Sequence, residues 1–267
     1  MNTQLDTVIV IKVGTSTLTK KNEAGNLSLD IESFRRIGTQ VLDLKQQGYA
    51  VAIVSSAAIT AGMVVTNLAK RPTNEEGSMP TLQGLASIGW RHILNAWDDA
   101  LQGLIIGELL ITRRELERDA ERSELLKVTH NLLTNGHVVI VNENDALTHE
   151  EIAFGDNDTL AVAFASKLKQ SHLFSDDISV IILSDIDGVY KDIHDSKTLI
   201  KKIEDVDTYL HVIRNTDGGV GTGGMTTKFS AAKIAKEHGI AMYITNGRTV
   251  DVLGRTLRKE VGTYFQE

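Results

Sequence analysis

Lys12 and Lys228 sit in two short clusters, Lys12-Val-Gly-Thr-Ser16 and Gly223-Gly-Met-Thr-Thr-Lys228, built from small and hydroxyl-bearing residues with no histidine or thiol among them. Two further clusters, Asn142-Glu-Asn-Asp145 and Gly155-Asp-Asn-Asp158, supply the aspartates Asp145, Asp156 and Asp158 together with three asparagines. Lysines, hydroxyls and backbone N–H groups without an activated side-chain nucleophile suit a reaction that needs charge neutralised. Phosphoryl transfer is that kind of reaction, because its transition state spreads negative charge over the transferred group and catalysis is mostly positioning plus electrostatic stabilisation. The aspartates suit an ammonium group, an outer sphere around Mg²⁺ or the orientation of lysine side chains, and one of Asp156 and Asp158 is placed to cap a following helix. The sequence leaves open which carboxylate does which.

Five of the seven residues from Gly218 to Gly224 are glycine, and from Met225 the pattern turns helical, with Met225, Phe229, Ala232 and Ala235 on one face and Gly239 as a stop. A glycine loop feeding a helix N-terminus gathers N–H donors where an anion sits, with Thr226, Thr227 and Lys228 in the first turn. A mobile surface loop accounts for the glycines equally well at this level. Gly219, Gly221 and Gly224 satisfy G-x-G-x-x-G, but Arg214 to Asp217 before them are polar turn formers and not a strand, so the dinucleotide fingerprint is weak; Met225 stands where a Walker A lysine belongs, and that pattern fails.

The elements that position these clusters alternate. Apolar β-branched runs at 7–13, 50–54, 104–112, 137–141, 178–183 and 240–244 read as strands, and Asp30 to Gly48, 82–101, 122–135 and 159–168 read as helices. In the helix over 122–135, Leu125, Val128, Leu132 and Leu133 are expected to face inward. The stretch from Thr66 to Pro80 is expected to be an exposed loop. Such alternation predicts an α/β fold, a three-layer αβα sandwich around a mainly parallel sheet. Ligands bind such sheets beyond the carboxyl ends of the strands, where Lys12 to Ser16, Ser55 and Ser56, Asn142 to Asp145, and Ser184 and Asp185 each follow a strand.

Composition narrows the alternatives. With 267 residues and 42% hydrophobic content the chain has an ordinary globular core, and its net charge of −7 argues against a general nucleic-acid binder. The absence of cysteine removes disulfides, thiolate nucleophiles and cysteine-based zinc sites, and the eight histidines show no metal-binding spacing. No signal peptide or transmembrane stretch is read at the N-terminus, where Lys12 interrupts the first apolar run, so a cytoplasmic protein is expected.

Taken in order, Lys12-Val-Gly-Thr-Ser16, Ser55-Ser-Ala-Ala-Ile59, Asn142-Glu-Asn-Asp-Ala146, Gly155-Asp-Asn-Asp158, Gly223-Gly-Met-Thr-Thr-Lys228 and the closing Gly262-Thr-Tyr-Phe265 resemble the amino acid kinase family, over almost the whole chain. Within it they resemble the branch that phosphorylates the γ-carboxylate of L-glutamate. The resemblance implies one kinase domain over residues 1–267, lacking the C-terminal domain of the pseudouridine synthase and archaeosine transglycosylase type, with glutamate bound over the N-terminal half and ATP over the C-terminal half. It implies that Lys12 and Lys228 stabilise the moving phosphoryl group and that Asp158 orients them. Ser184, Asp185, Thr222, Gly223, Gly224, Met225, Thr226, Thr227 and both lysines would line the nucleotide site; Ser56, Asp145 and Asn157 would hold glutamate. ATP with Mg²⁺, no dedicated protein metal site, no nucleic-acid or membrane partner and a homo-oligomer (dimer or tetramer) are also implied. Four positions depart from the family pattern: Ala57 replaces a glycine, Ser184 a threonine, Thr159 an asparagine and Trp90 a glutamine. Those at Ala57 and Trp90 leave room for a phosphotransferase of the same fold with another small acceptor; a catalytically silent nucleotide-binding regulator is a separate alternative, against which the retained lysines and Asp158 stand.

Overall fold

The computed structural model describes residues 7–21, 25, 27–72, 78–148, 156–192, 194–209 and 224–266. The glycine-rich stretch up to Gly223, with Thr222 and Gly223, lies outside the described residues, as do Gly155 and part of the loop expected before Pro80. The strands in chain order are β1 (Val8–Val13), β2 (Thr19–Lys21), β3 (Leu27–Leu29), β4 (Ala50–Ser55), β5 (Ile106–Ile111), β6 (Val138–Glu143), β7 (Ile178–Ser184), β8 (Val189–Tyr190), β9 (Leu199–Ile200), β10 (Lys202–Ile203), β11 (Ala241–Asn246) and β12 (Thr263–Phe265). The α-helices are α1 (Thr15–Leu18), α2 (Ile31–Gln46), α3 (Ala58–Val65), α4 (Ser78–Ala100), α5 (Arg113–Glu117), α6 (Asp119–Thr134), α7 (Asn157–Gln170), α8 (Met225–Glu237) and α9 (Val252–Leu257).

Eight strands form one sheet in the order β10-β12-β11-β7-β1-β4-β6-β5, parallel throughout except where β12 runs against β11. Successive side chains in a strand point to opposite faces, and the apolar strands fill a core on each side. Val8 and Val10, with Ala52, Val141, Val180 and Ile182, meet α6, α7 and α8. Ile9, Ile11 and Val13 meet α2, α4 and α9. This is the αβα sandwich expected from the sequence.

Lys12 inherits its direction from this alternation. It takes the position after Val8 and Val10 on the α7 and α8 face, so a cation set into an apolar strand is aimed at two helix N-termini. On the other face, α3 and α4 pack backbone to backbone: a Cβ on Gly89 would lie 1.9 Å from the Ala58 carbonyl oxygen. No longer side chain fits there. Trp97 is buried in α4, stacks edge-on with Phe34 at 4.8 Å and donates its indole N–H to Ser55 Oγ at 2.9 Å, fixing the carboxyl end of β4.

Two expectations need correction. The helix expected from Leu82 begins at Ser78, with Pro80 inside its first turn, where a missing N–H leaves no helical bond unmade. Val128 is expected inward but is 46% exposed. The buried face of α6 is set by Leu125, Leu126, Thr129 and Leu133, and Val128 falls more than a quarter-turn away from the centre of that stripe. Among the described residues no helix is long and apolar enough to cross a membrane.

Candidate active site

The carboxyl ends of β7, β1, β4 and β6, which are neighbours in the sheet, bring their polar clusters to one edge. Facing them is the N-terminus of α7. Asp156 caps that helix, accepting from the Asp158 and Thr159 N–H groups at 2.7 and 2.9 Å, which settles the choice between Asp156 and Asp158 left open by the sequence. Thr159 completes the cap by donating its hydroxyl to Asp156 Oδ2 at 3.0 Å.

With the cap made by its neighbour, Asp158 is free to face the sheet. It is fully buried, and its two oxygens meet Lys12 Nζ at 2.6 Å and Lys228 Nζ at 3.0 Å. Thr227 donates to the same oxygen as Lys228 at 3.3 Å and to the Gly224 carbonyl at 2.9 Å. Burial on its own would raise the Asp158 pKa, but the ammonium groups of Lys12 and Lys228 outweigh it and hold the carboxyl below the ordinary carboxylate range. One anion between two cations leaves the triad itself with a surplus cation, set against the Asp156 carboxylate that caps the same helix. The cluster is built to receive an anion.

One residue earlier, Asn157 faces the other way. Its amide donates to Ser55 O at 3.2 Å, Ser56 Oγ at 2.9 Å and Asn142 Oδ1 at 3.0 Å, and Asn142 donates in turn to Asp145 Oδ2 at 3.2 Å. Burial pushes the Asp145 carboxyl up, against the Asn142 hydrogen bond and the charge of Arg71. An ammonium group brought to Asp145 would favour the ionised form again. A cavity of about 220 Å³ borders this network, lined by Ala58, Trp90, Leu110 and the Asn142 to Ala146 turn. Trp90 donates its indole N–H to Glu108 on β5 and forms part of the wall.

Ala57 links this network to α3. Its φ of 81° and ψ of 8° are left-handed, the conformation that glycine takes without strain. Its exposure is only 6%. In Ala57→Gly, relief of about 1–2 kcal/mol of strain is offset by about 0.4–1 kcal/mol of unfolded-chain entropy and about 0.8 kcal/mol of lost methyl burial. Stability is therefore expected to change little. The methyl group belongs to the apolar cluster on the α2 and α4 face, and denaturant unfolding of the variant beside the parent chain checks this balance.

On the side expected to take the nucleotide, Ser184 is buried at the end of β7 and donates to Asp185 Oδ1 at 3.1 Å, while Asp185 is exposed at the rim. Gly224, Met225, Thr226 and Thr227 form the start of α8. Among the described residues no three acidic or imidazole groups cluster to hold a metal ion. Both oxygens of Asp158 are taken by lysines, so a Mg²⁺ ion fits here only as one carried mainly by phosphate oxygens.

The sequence reading missed the end of β11, next to β7, which delivers Asn246, Gly247 and Arg248 to the same edge. The strand-end rule applied to 240–244 would have found them, but Asn246-Gly247 reads first as a turn.

The fold and the lysine-carboxylate-lysine cluster define a phosphate-handling α/β protein. The Amino acid kinase family profile matches residues 7–246, and the chain belongs to that family. It is 37% identical to the glutamate 5-kinase of Symbiobacterium thermophilum over 96% of this chain and 95% of that one. It is 38% identical to the glutamate 5-kinase of Clostridium acetobutylicum over 96% and 93%. Among solved structures, the carbamate kinase of Giardia lamblia bound to AMP-PNP superposes with a TM-score of 0.67 at 17% identity, covering 100% of both chains. The UMP kinase of Bacillus anthracis gives 0.62 at 15% identity, covering 97% of this chain and 95% of that one.

Proposed function

We propose that the protein is an ATP-dependent kinase that phosphorylates the γ-carboxylate of L-glutamate, giving L-glutamyl 5-phosphate, the activated acid from which proline is made. The observation that carries this reading is the first turn of α7. Its successive residues Asn157 and Asp158 join an amide and carboxylate network suited to an amino acid to a pair of buried lysines suited to a phosphoryl group. The similarity to glutamate 5-kinases over nearly the whole chain supports the same acceptor.

In this reading glutamate lies over the N-terminal half, its ammonium at Asp145 and its backbone portion at Ser56 and Asn157. ATP lies over the C-terminal half, against Ser184, Asp185 and the residues from Thr222 to Lys228. A γ-carboxylate oxygen attacks the γ-phosphorus; the new P–O bond forms as the bond to the ADP oxygen breaks, and ADP leaves. The acceptor is already ionised at neutral pH, so no general base is required, in keeping with a site without histidine or thiol. Lys12 and Lys228 neutralise charge developing on the moving group, and Asp158 holds both ammonium groups at the place where that charge appears. Mg²⁺ enters with the nucleotide and supplies further neutralisation of its phosphates. Residues 1–267 act as one kinase domain.

Hydroxylamine trapping tests the reaction and acceptor together. Glutamyl hydroxamate should form with ATP and glutamate, and ADP release should be far slower with aspartate or N-acetylglutamate. ADP release without hydroxamate would overturn the acceptor. Asp145→Ala is expected to raise the KM for glutamate by tenfold or more, as loss of a buried charge-assisted contact of about 1.5–3 kcal/mol implies, with ATP affinity kept. Equal damage to both substrates, measured by varying each in turn, would mark a folding defect instead. We also infer a homo-oligomer, a dimer or tetramer, which sedimentation velocity reads directly.

A further inference from the structure

The turn after β11 is tied to its surroundings from several sides. Gly247 N–H donates to the Ser184 carbonyl at 2.9 Å, binding the turn to the end of β7. Asn246 donates its side-chain amide to Asp187 Oδ1 at 2.9 Å and accepts from the Arg248 N–H at 3.0 Å, while Tyr190 donates to the other Asp187 oxygen at 2.8 Å. From α2, the half-buried Arg36 reaches across the fold to donate to the Gly247 carbonyl at 3.0 Å and to Ser33 Oγ at 3.1 Å. The turn lies against α1 so closely that a Cβ on Gly247 would come within 2.7 Å of Thr17 Cγ2. A surface loop that only connects β11 to α9 has no need of this many anchors.

What the turn presents is Arg248. Its exposed guanidinium reaches the carbonyl of Ser16, in the cluster that follows β1, at a long 3.4 Å. Exposed Arg35, Arg114 and Arg258 and half-buried Arg122 and Arg255 each lie within 3.4 Å of a carboxylate. Arg248 instead points at a carbonyl on the rim of the edge where Thr15, Ser16 and Asp185 are also exposed. A guanidinium has five N–H donors in a fork that matches phosphate oxygens, and most of this fork remains for a ligand.

We propose that Arg248 is a further binding residue for the polyphosphate of the nucleotide, held at the rim by the anchored turn, with Arg36 and Asn246 as its positioning residues. The assignment rests on the reading that ATP occupies the C-terminal half.

Isothermal titration of the full chain with ATP, ADP and adenosine tests it. Arg248→Ala is expected to raise the Kd of ATP and ADP roughly tenfold, the size of one charge-assisted contact at an exposed rim, while leaving adenosine unchanged. Arg248→Lys should recover part of the loss, because the charge stays but the fork is gone. The ATP loss should also shrink in high salt. Arg255→Ala, which removes the same charge from a carboxylate-paired site, should leave ATP affinity where it was. An ATP Kd unmoved by Arg248→Ala, or an equal loss for adenosine, would overturn the assignment. Failure of the unmodified chain to bind any of the three ligands would instead overturn the nucleotide reading beneath it.

Discussion

Asp158→Asn is expected to abolish measurable turnover and to destabilise the fold by about 3–5 kcal/mol, the range for removing one partner of a buried ion pair. The side chain is fully buried, and the two ammonium groups at 2.6 and 3.0 Å are themselves only 10% and 5% exposed at the side chain. Asparagine keeps the volume but removes the buried charge that both lysines are paired with. Two buried like charges then repel each other, and either they drift apart or one gives up its proton. Either outcome misplaces the cations that phosphoryl transfer needs. Denaturant unfolding followed by kinetics separates the two effects. Adding Lys12→Met to Asp158→Asn should return part of the stability, by removing one of the two uncompensated charges, and none of the activity. A double variant no more stable than the single would show that charge imbalance is not the cause.

The same triad sets a pH dependence. The Asp158 pKa lies below its ordinary value in the folded protein, so this group binds its proton less readily folded than unfolded. Its contribution to stability is present above the unfolded carboxylate pKa and is lost as pH falls through the lower folded value. Lys12→Met should flatten the acid limb of a stability profile, since it removes one of the two cations responsible.

Much of this site was legible because two simple periodicities converge on it. The even positions of β1 carry Val8, Val10 and then Lys12, and the first turn of α8 carries Lys228 one turn before the buried Ala231 and Ala232. Both directions follow from element type alone, as do the strand-end clusters of β7, β1, β4 and β6. The short elements were not legible: α1, α5, α9 and the small hairpins are shorter than the window in which a period shows. Nor were contacts that join distant segments through one polar atom. Arg36 reads as one more cation on an amphipathic helix, and its bond to Gly247 spans 211 positions. The left-handed backbone of Ala57 is legible only through the resemblance, which puts a glycine at this position; alanine itself advertises no such conformation.

Lys228→Ala is expected to lower kcat by about two to three orders of magnitude, the loss seen when one preorganised group is removed from developing charge, while the KM for glutamate changes by less than a few fold. Two structural facts separate this expectation from that for Asp158→Asn. Lys228 is one of two cations on the same carboxylate, so its loss leaves the Lys12 and Asp158 pair matched in charge, and the structural penalty is smaller. It also stands in the first turn of α8, whereas Asn157 bonds to Ser56 and Asn142, so the contacts proposed for the acceptor are expected to persist. A contact made mainly in the transition state appears in kcat and kcat/KM together, while one made equally to bound substrate appears in KM. Lys228→Arg discriminates further. It keeps the charge but exchanges a compact ammonium for a wide planar fork in a site where the ammonium is 3.0 Å from Asp158 Oδ2, so it should restore nucleotide affinity more fully than turnover. Single-turnover transfer from labelled ATP to glutamate measures the chemical step directly, and an unchanged rate in Lys228→Ala would remove this lysine from the mechanism.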